Sequence, residues 1–329
     1  MSTTAAPALP LKVASYHTLT PGPHLVILGA VHGNERCGPE AIHSVMAQLD
    51  SGTLTLTRGR LSLVPVCNPR AYTENVRCVE RNLNRYLYPK DTPETYEDHI
   101  DPVLCRVLDE ADALLDLHSY GSEGGAFCFL GTGSAEELAF SRALGVRDFV
   151  YGWSEAFGSS NPGNPYESMG TTEYTRHKGG IAATVECGHH HNDDNVAVAT
   201  RAILNALVHM QMIAPDAAHT AMPAPHAFTH SAKPDGDAKP RCVKMQRVFY
   251  KKHPGALARR WKHYDFVRTG EVLATYDDGT QITAPEDGYI VLPKYTPDLG
   301  AEWFYFGIAT PFPAVLATPK TEAGTATRA

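Results

Sequence analysis

The stretch LGAVHGNERCGPEAI, residues 28–42, changes texture twice. It begins inside the apolar run HLVILGAV, residues 24–31, which is short and bounded by Pro23 and Gly33. Such a run reads as a fully buried strand. His32, Gly33, Asn34 and Glu35 follow at once, and GPEAIHSVMAQLD, residues 38–50, has helical patterning with Pro39 in its first turn. Buried strand, polar turn and helix make one α/β unit. An imidazole and a carboxylate stand three residues apart at its mouth.

The same alternation continues outward. RLSLVPV (60–66), DALLDLHS (112–119), GAFCFLG (125–131) and IAATVECG (181–188) read as further strands. DPVLCRVLDEA (101–111), SAEELAFSRAL (134–144) and DNVAVATRAILNALVHMQMI (194–213) read as helices. Strands apolar on both faces and separated by helices imply a mixed, largely parallel sheet flanked by helices. In such sheets ligands sit at the carboxyl ends of the strands. Three polar clusters fall at strand ends: His32–Glu35, Asp116–His118 and Glu186.

His32 and Glu35 alone fit a surface turn with an incidental histidine as well as a metal site. Gly33 and Asn34 make a sharp turn cheap. His118 changes the balance, because it ends a strand expected beside the first. Two histidines and a glutamate are the three-ligand set of a catalytic zinc whose fourth position is left to water. Asp116 lies two residues before His118, on the same side of an extended strand, where it can orient the ring or serve as a structural cap. Glu186 follows small and apolar residues, an expensive place for a carboxylate without a use. Beside a metal it can take a proton from water and pass it to a leaving amine. The competing reading is a strand-end salt bridge.

In NVRCVERNLNRYLYP, residues 75–89, Arg77, Arg81 and Arg85 recur every fourth position. On a helix they would form a solvated stripe, but Pro69, Pro89 and the mixed composition favour a loop. Asn84 and Arg85 suit a substrate carboxylate, and Arg77 can polarise a carbonyl as its oxygen gains charge. Arg176, in YTRHKGG, is either a second anion clamp or a helix-end arginine. HHHN, residues 189–192, reads as a surface or pocket-wall turn. Cys37 and Cys187 read as packing residues. WSEAFGSSNPGNPYESMG, residues 153–170, has the Gly, Pro and Ser content of a mobile active-site loop.

Past residue 213 the texture changes. Residues 214–240 are rich in Ala, Pro, His and Thr without periodicity and read as a linker. Residues 241–316 carry short β segments, and 317–329 read as a disordered tail, as do the first dozen residues. The expected division is a hydrolase domain over 13–213 and a small all-β domain after the linker.

The chain has 329 residues and a formal net charge of −7, so no global basic field invites nucleic acid or anionic lipid. Seven cysteines without a CxxC pair argue against a zinc ribbon or thioredoxin-like site and fit reduced thiols in a cytosol. The first residues lack a signal-peptide pattern, and no stretch reaches eighteen consecutive apolar residues. The expectation is a cytoplasmic protein with no membrane or nucleic-acid partner. A homo-oligomer is compatible with the sequence.

HGNE, NPRAYTENVRCVERNLNR, DLHS and VECG, in that order, resemble the succinylglutamate desuccinylase/aspartoacylase family of the zinc carboxypeptidase-like fold. The motifs span about residues 25–190. The resemblance implies one Zn²⁺ per chain on His32, Glu35 and His118, and Glu186 as catalytic glutamate. It implies Arg77 as the residue that polarises the carbonyl, and Asn84 and Arg85 as the grip on a substrate carboxylate. It places Arg176 at the spacing of a further carboxylate-binding arginine. One departure stands out. The family often has Asp-Leu-Asn-Arg, whereas here Asn82 replaces that aspartate and Arg81 precedes it, which puts substrate identity in question. The family's tyrosine from the second domain has two candidates, Tyr289 and Tyr295. GEVLATYDDGTQITAPEDGYIVLP resembles the barrel-sandwich hybrid of lipoyl and biotinyl domains, but its hairpin tip lacks a modifiable lysine, so it reads as a lid. The implied activity is hydrolysis of an N-acyl amino acid or related small amide bearing a carboxylate. A metallocarboxypeptidase and a non-catalytic zinc or small-molecule binding protein are the alternatives.

Overall fold

The computed structural model describes residues 10–131, 134–158, 167–221 and 241–313. Its elements run β1 (Ala14–His17), β2 (His24–Gly29), α1 (Cys37–Asp50), β3 (Arg60–Val64), α2 (Pro69–Glu74), α3 (Tyr96–Leu108), β4 (Ala113–Tyr120), β5 (Phe127–Phe129) and α4 (Ala135–Ala143). There follow β6 (Asp148–Tyr151), α5 (Trp153–Gly158), α6 (Thr171–His177), β7 (Ile181–His189), α7 (Asn195–His209) and α8 (Pro215–Ala221). The C-terminal part holds β8 (Arg241–Tyr250), β9 (Gly255–Leu257), β10 (Phe266–Val267), β11 (Val272–Tyr276), β12 (Gln281–Thr283), β13 (Gly288–Val291) and β14 (Glu302–Thr310).

β3, β2, β4 and β7 lie side by side in parallel. Every residue of β2 and β4 is buried, which explains their largely apolar texture. Alternate side chains serve opposite faces. Leu25, Ile27 and Leu115 pack with Ile42 and Val45 of α1 and Ile203 and Leu207 of α7. Val26, Leu28 and Leu114 pack with Ile100, Leu104 and Leu108 of α3 and with Leu83 and Leu87. Truncating one such leucine to alanine costs about 2–5 kcal/mol. Helices therefore cover both faces, as the alternation of textures implies.

Local signals account for the helix starts nearest the site. Asn68 caps α2 by accepting from Ala71 N at 3.2 Å, with Pro69 in its first turn, and Asn75 ends that helix in the left-handed region. Thr95 and Asp98 form a reciprocal capping box at α3.

The sheet runs on past β7. β5 joins β7 antiparallel, β6 joins β5, and β8 joins β6, followed by β14, β13 and β10. The C-terminal strands thus continue the same eleven-stranded sheet, while β12, β11 and β9 form a second small one. Residues 215–221, read as linker, form α8. Its Ala218 and Ala221 are buried in the core cluster that holds α7, and that apolar contact lets a short Pro- and Ala-containing stretch fold. The rest of the expected linker, the residues past 313 and positions 159–166 of the expected loop lie outside the described residues. β1, β6, β9 and α6 carry no strong pattern in sequence, being four, four, three and seven residues long.

Candidate active site

The turn after β2 is set by packing. Ala30 adopts φ 44°, and the chain then folds so that Glu35 N bonds to His32 O at 3.1 Å. Gly33 is not in the left-handed region; a Cβ there would run into the backbone of Ala71 and Tyr72 in α2. Its N–H donates to Arg77 O at 3.1 Å, tying this turn to the arginine-bearing loop. β4 pairs with β7 so that His118 stands opposite Glu186. Parallel register thus brings three separate strand ends together.

His32, Glu35 and His118 are all buried, and one ligand atom of each lies within 4.8 Å of the others. Glu35 Oε1 is 2.8 Å from His32 Nδ1, and Glu35 Oε2 is 2.9 Å from His118 Nδ1. The two Nδ1 atoms are 3.2 Å apart. The outer nitrogens are held from behind. His32 Nε2 donates to Asn82 Oδ1 at 3.0 Å, and Asp116 Oδ2 lies 2.9 Å from His118 Nε2. Thr171 Oγ1 in turn donates to Asp116 Oδ2 at 2.5 Å. Acceptors behind both rings turn both Nδ1 atoms inward, the arrangement that orients metal-bound histidines.

The electrostatics favour a cation. Burial lowers the pKa of His118, but the Asp116 and Glu35 carboxylates outweigh it and hold it well above the usual value. Burial and the Arg77 charge push His32 down to about 4. Burial opposes ionisation of Glu35, yet the two imidazoles hold its carboxyl well below the usual range. Glu186 is pushed up to about 8, burial being the main cause and Glu35 and Asp116 adding, while His118 and Arg77 pull the other way. Its Oε2 is buried without a hydrogen-bond partner. One carboxylate and two inward imidazole nitrogens within reach of one point fit a divalent ion with nitrogen and oxygen ligands, as zinc is.

These groups open onto a cavity of about 360 Å³. Arg77, Asn84, Arg85, Arg176 and Glu186 all line it, together with His32 and His118. Arg77 Nη1 reaches Glu35 Oε1 at 3.4 Å and is about half exposed. Asn84 Oδ1 accepts from Thr171 N at 3.0 Å, which leaves Nδ2 as the end able to donate to a ligand. Arg85 Nη1 donates to Asn84 O at 2.7 Å, and its guanidinium lies over the Trp153 ring. Arg176 is different. Its Nε donates to Glu137 at 2.8 Å, Nη1 to Glu173 at 3.1 Å and Nη2 to Ala182 O at 2.9 Å. Each of its three nitrogens makes a contact within the chain, while the side chain also lines the cavity.

Residues 75–95 form turns without a helix, as their prolines suggested. Glu97, fully buried on α3, holds the loop: its carboxylate accepts from Val79 N, Glu80 N, Arg81 N and Asn68 Nδ2. Arg81 turns away from the cavity. It donates to both oxygens of Asp101 at 2.8 Å and to Asp98 at 3.0 Å. Its charge is therefore balanced elsewhere, and Asn82 acts on His32 rather than in the cavity wall. The departure from the family's pattern touches the orientation of the His32 ring.

The C-terminal part adds Lys294, Tyr295, Glu302 and Tyr305 to the lining. Of the two candidate tyrosines, Tyr295 reaches the cavity, with its hydroxyl donating to Trp261 O at 3.0 Å and accepting from Glu123 N at 3.2 Å. Tyr289 packs beside Tyr264 and Phe266 instead. His190 also lines the cavity, its Nδ1 2.8 Å from Ser119 Oγ. Lys294, Glu302 and Tyr305 had no sequence signal, because polar residues on strands and loops far along the chain look like any solvated surface.

The model of the succinylglutamate desuccinylase/aspartoacylase catalytic domain matches residues 21–210, more than half of the chain. The chain belongs to this family. Its two named activities are deacylations, so the family chemistry is amide hydrolysis. No curated protein matches the chain. Solved structures of similar fold include a succinylglutamate desuccinylase/aspartoacylase from Rhodobacter sphaeroides, 21% identical, with a TM-score of 0.70 over 91% of this chain and 89% of that one. The product-bound ectoine utilization protein EutE (DoeB) from Ruegeria pomeroyi is 19% identical, with a TM-score of 0.66 over 90% and 88%. A succinylglutamate desuccinylase from Vibrio parahaemolyticus is 16% identical, with a TM-score of 0.63 over 90% and 86%. Among the described residues no helix is long and apolar enough to cross a membrane, and all seven cysteines are free.

Proposed function

We propose that this protein is a zinc-dependent amidohydrolase that cleaves the amide of an N-acyl amino acid, releasing a carboxylate and an amine. The observation that carries the proposal is the buried cluster of His32, Glu35 and His118 with the unpartnered Glu186 Oε2 facing the same cavity. His32 Nδ1, His118 Nδ1 and Glu35 would hold the ion. When bound, zinc supplies a Lewis acid that acidifies water and polarises a carbonyl.

The chain's own residues supply the rest. Glu186 takes a proton from the attacking water. The water oxygen forms the new bond to the acyl carbon, the C–N bond breaks, and Glu186 returns the proton to the departing amine. Arg77 faces the charge that develops on the carbonyl oxygen. Asn84 Nδ2 and Arg85 hold the substrate carboxylate and so fix the amide over Glu186. The Asp116–His118 and Asn82–His32 contacts keep the ligand rings turned inward.

The test is release of free amine from N-acetyl, N-formyl and N-succinyl amino acids compared with short peptides, using zinc-loaded protein. Turnover of one or more of the N-acyl amino acids is expected. Cleavage confined to peptides would instead indicate a metallocarboxypeptidase, and absence of all turnover would indicate a binding protein.

A further inference from the structure

We propose that the cavity selects amides carrying a single carboxylate, because the cationic clamp on its α6 wall is already closed on the chain's own acids. This rests on the amidohydrolase reading above. Arg176 lies between Glu137 of α4 and Glu173 of its own helix, at 2.8 and 3.1 Å. The arginine side chain is 17% exposed, Glu137 4% and Glu173 26%. Glu137 is fixed further: its Oε2 also accepts from Ala182 N at 3.3 Å. Gly131 closes the other side, where a Cβ would run into the Glu137 carboxylate and the Arg176 guanidinium. One guanidinium between two carboxylates leaves this wall with a formal charge of −1.

A second substrate carboxylate arriving here would have to share the guanidinium with Glu173 and Glu137 or displace one of them. Either displacement strands a partly or fully buried charge, and the incoming group adds a like charge. The rest of the cavity has the reverse balance. Arg77, Arg85 and Lys294 line it against Glu302, which Lys294 holds at 2.7 Å and Arg85 approaches at 3.8 Å. The lining thus combines cationic groups that can accept one carboxylate with an α6 wall that already carries excess negative charge. The group that reaches α6 is uncharged at the position where a dicarboxylate would carry its second acid.

Two pairs matched in shape test this: N-acetylasparagine against N-acetylaspartate, and an N-succinamoyl amino acid against its N-succinyl counterpart. In at least one pair the neutral amide is expected to have the higher kcat/KM by about tenfold, with the acidic amide favoured in neither. The Glu173→Gln variant is expected to narrow that ratio through a lower KM for the acidic amide. Preference for the acidic member of either pair, indifference in both, or an unmoved ratio in a folded Glu173→Gln protein would overturn the proposal. If none of the four is hydrolysed, the wider N-acyl panel above still tests the amidohydrolase reading by itself. Calorimetric binding of the same pairs to zinc-loaded protein then decides the wall: tighter binding of the neutral member upholds it, and equal or tighter binding of the acidic member overturns it.

Discussion

At Glu186 a carboxylate is buried with one oxygen unpaired, at a strand end where three other acids and imidazoles converge. A residue retained there for stability would have a partner; one retained for proton transfer needs a free oxygen. Glu186→Gln should therefore keep zinc, measured by metal content, and lose about 10²–10⁴-fold in kcat. A second prediction concerns Asn82. Its Oδ1 accepts from His32 Nε2 at 3.0 Å, so Asn82→Ala should weaken zinc binding by about 10–100-fold in a chelator competition. Unchanged zinc affinity would mean that the ring needs no such support. The cluster of His32, Glu35 and His118 was legible in sequence, since His-x-x-Glu and a later histidine each end a strand. The work of Asn82 was not legible, because its partner lies fifty positions away and only the loop's path brings them together.

At the scale of elements, the 78–90 loop has no regular structure of its own and is ordered by α3. Four donors converge on the fully buried Glu97. Glu97→Ala would leave those donors unpaired, and urea denaturation should register a loss of about 3–5 kcal/mol together with a raised KM. In sequence Glu97 looks like an ordinary acid in a first helical turn, so its role was invisible there. His263 offers a second handle. It is buried, stacks on Phe127 of β5 at 4.2 Å, and accepts from Leu292 N at 3.3 Å. Burial, with the Arg241 charge adding, pushes its pKa down to about 3. The folded chain keeps this ring neutral while the unfolded chain protonates it near pH 6.5. Its contribution is therefore full above about pH 6.5 and is lost as pH falls from there toward about 3. His263→Phe should flatten the fall in stability over that window, as followed by denaturation at several pH values.

At the scale of the molecule, one sheet carries both the strands whose ends bring His32, Glu35, His118 and Glu186 together and the C-terminal strands that border the cavity. The α/β alternation and the β-rich C-terminal texture were readable, because buried parallel strands leave largely apolar runs. The joint between them was not, since β6 and β8 are short or polar strands whose pairing spans ninety-three residues from Asp148 to Arg241. In the proposed zinc centre three ligands from two strand ends must meet, so ion binding and folding would be coupled. Zinc in excess over its dissociation constant should raise the unfolding temperature, with a gain of about 2.7 kcal/mol at a hundredfold excess. The most direct measurement strips the protein with a chelator, confirms its fold by circular dichroism, and titrates zinc while following amine release from an N-acyl amino acid. The expected result is no turnover at zero zinc and full turnover at one zinc per chain. Turnover that persists in fully stripped protein, or none at one bound zinc across the N-acyl panel, would contradict a single zinc centre on His32, Glu35 and His118 as the seat of amide hydrolysis.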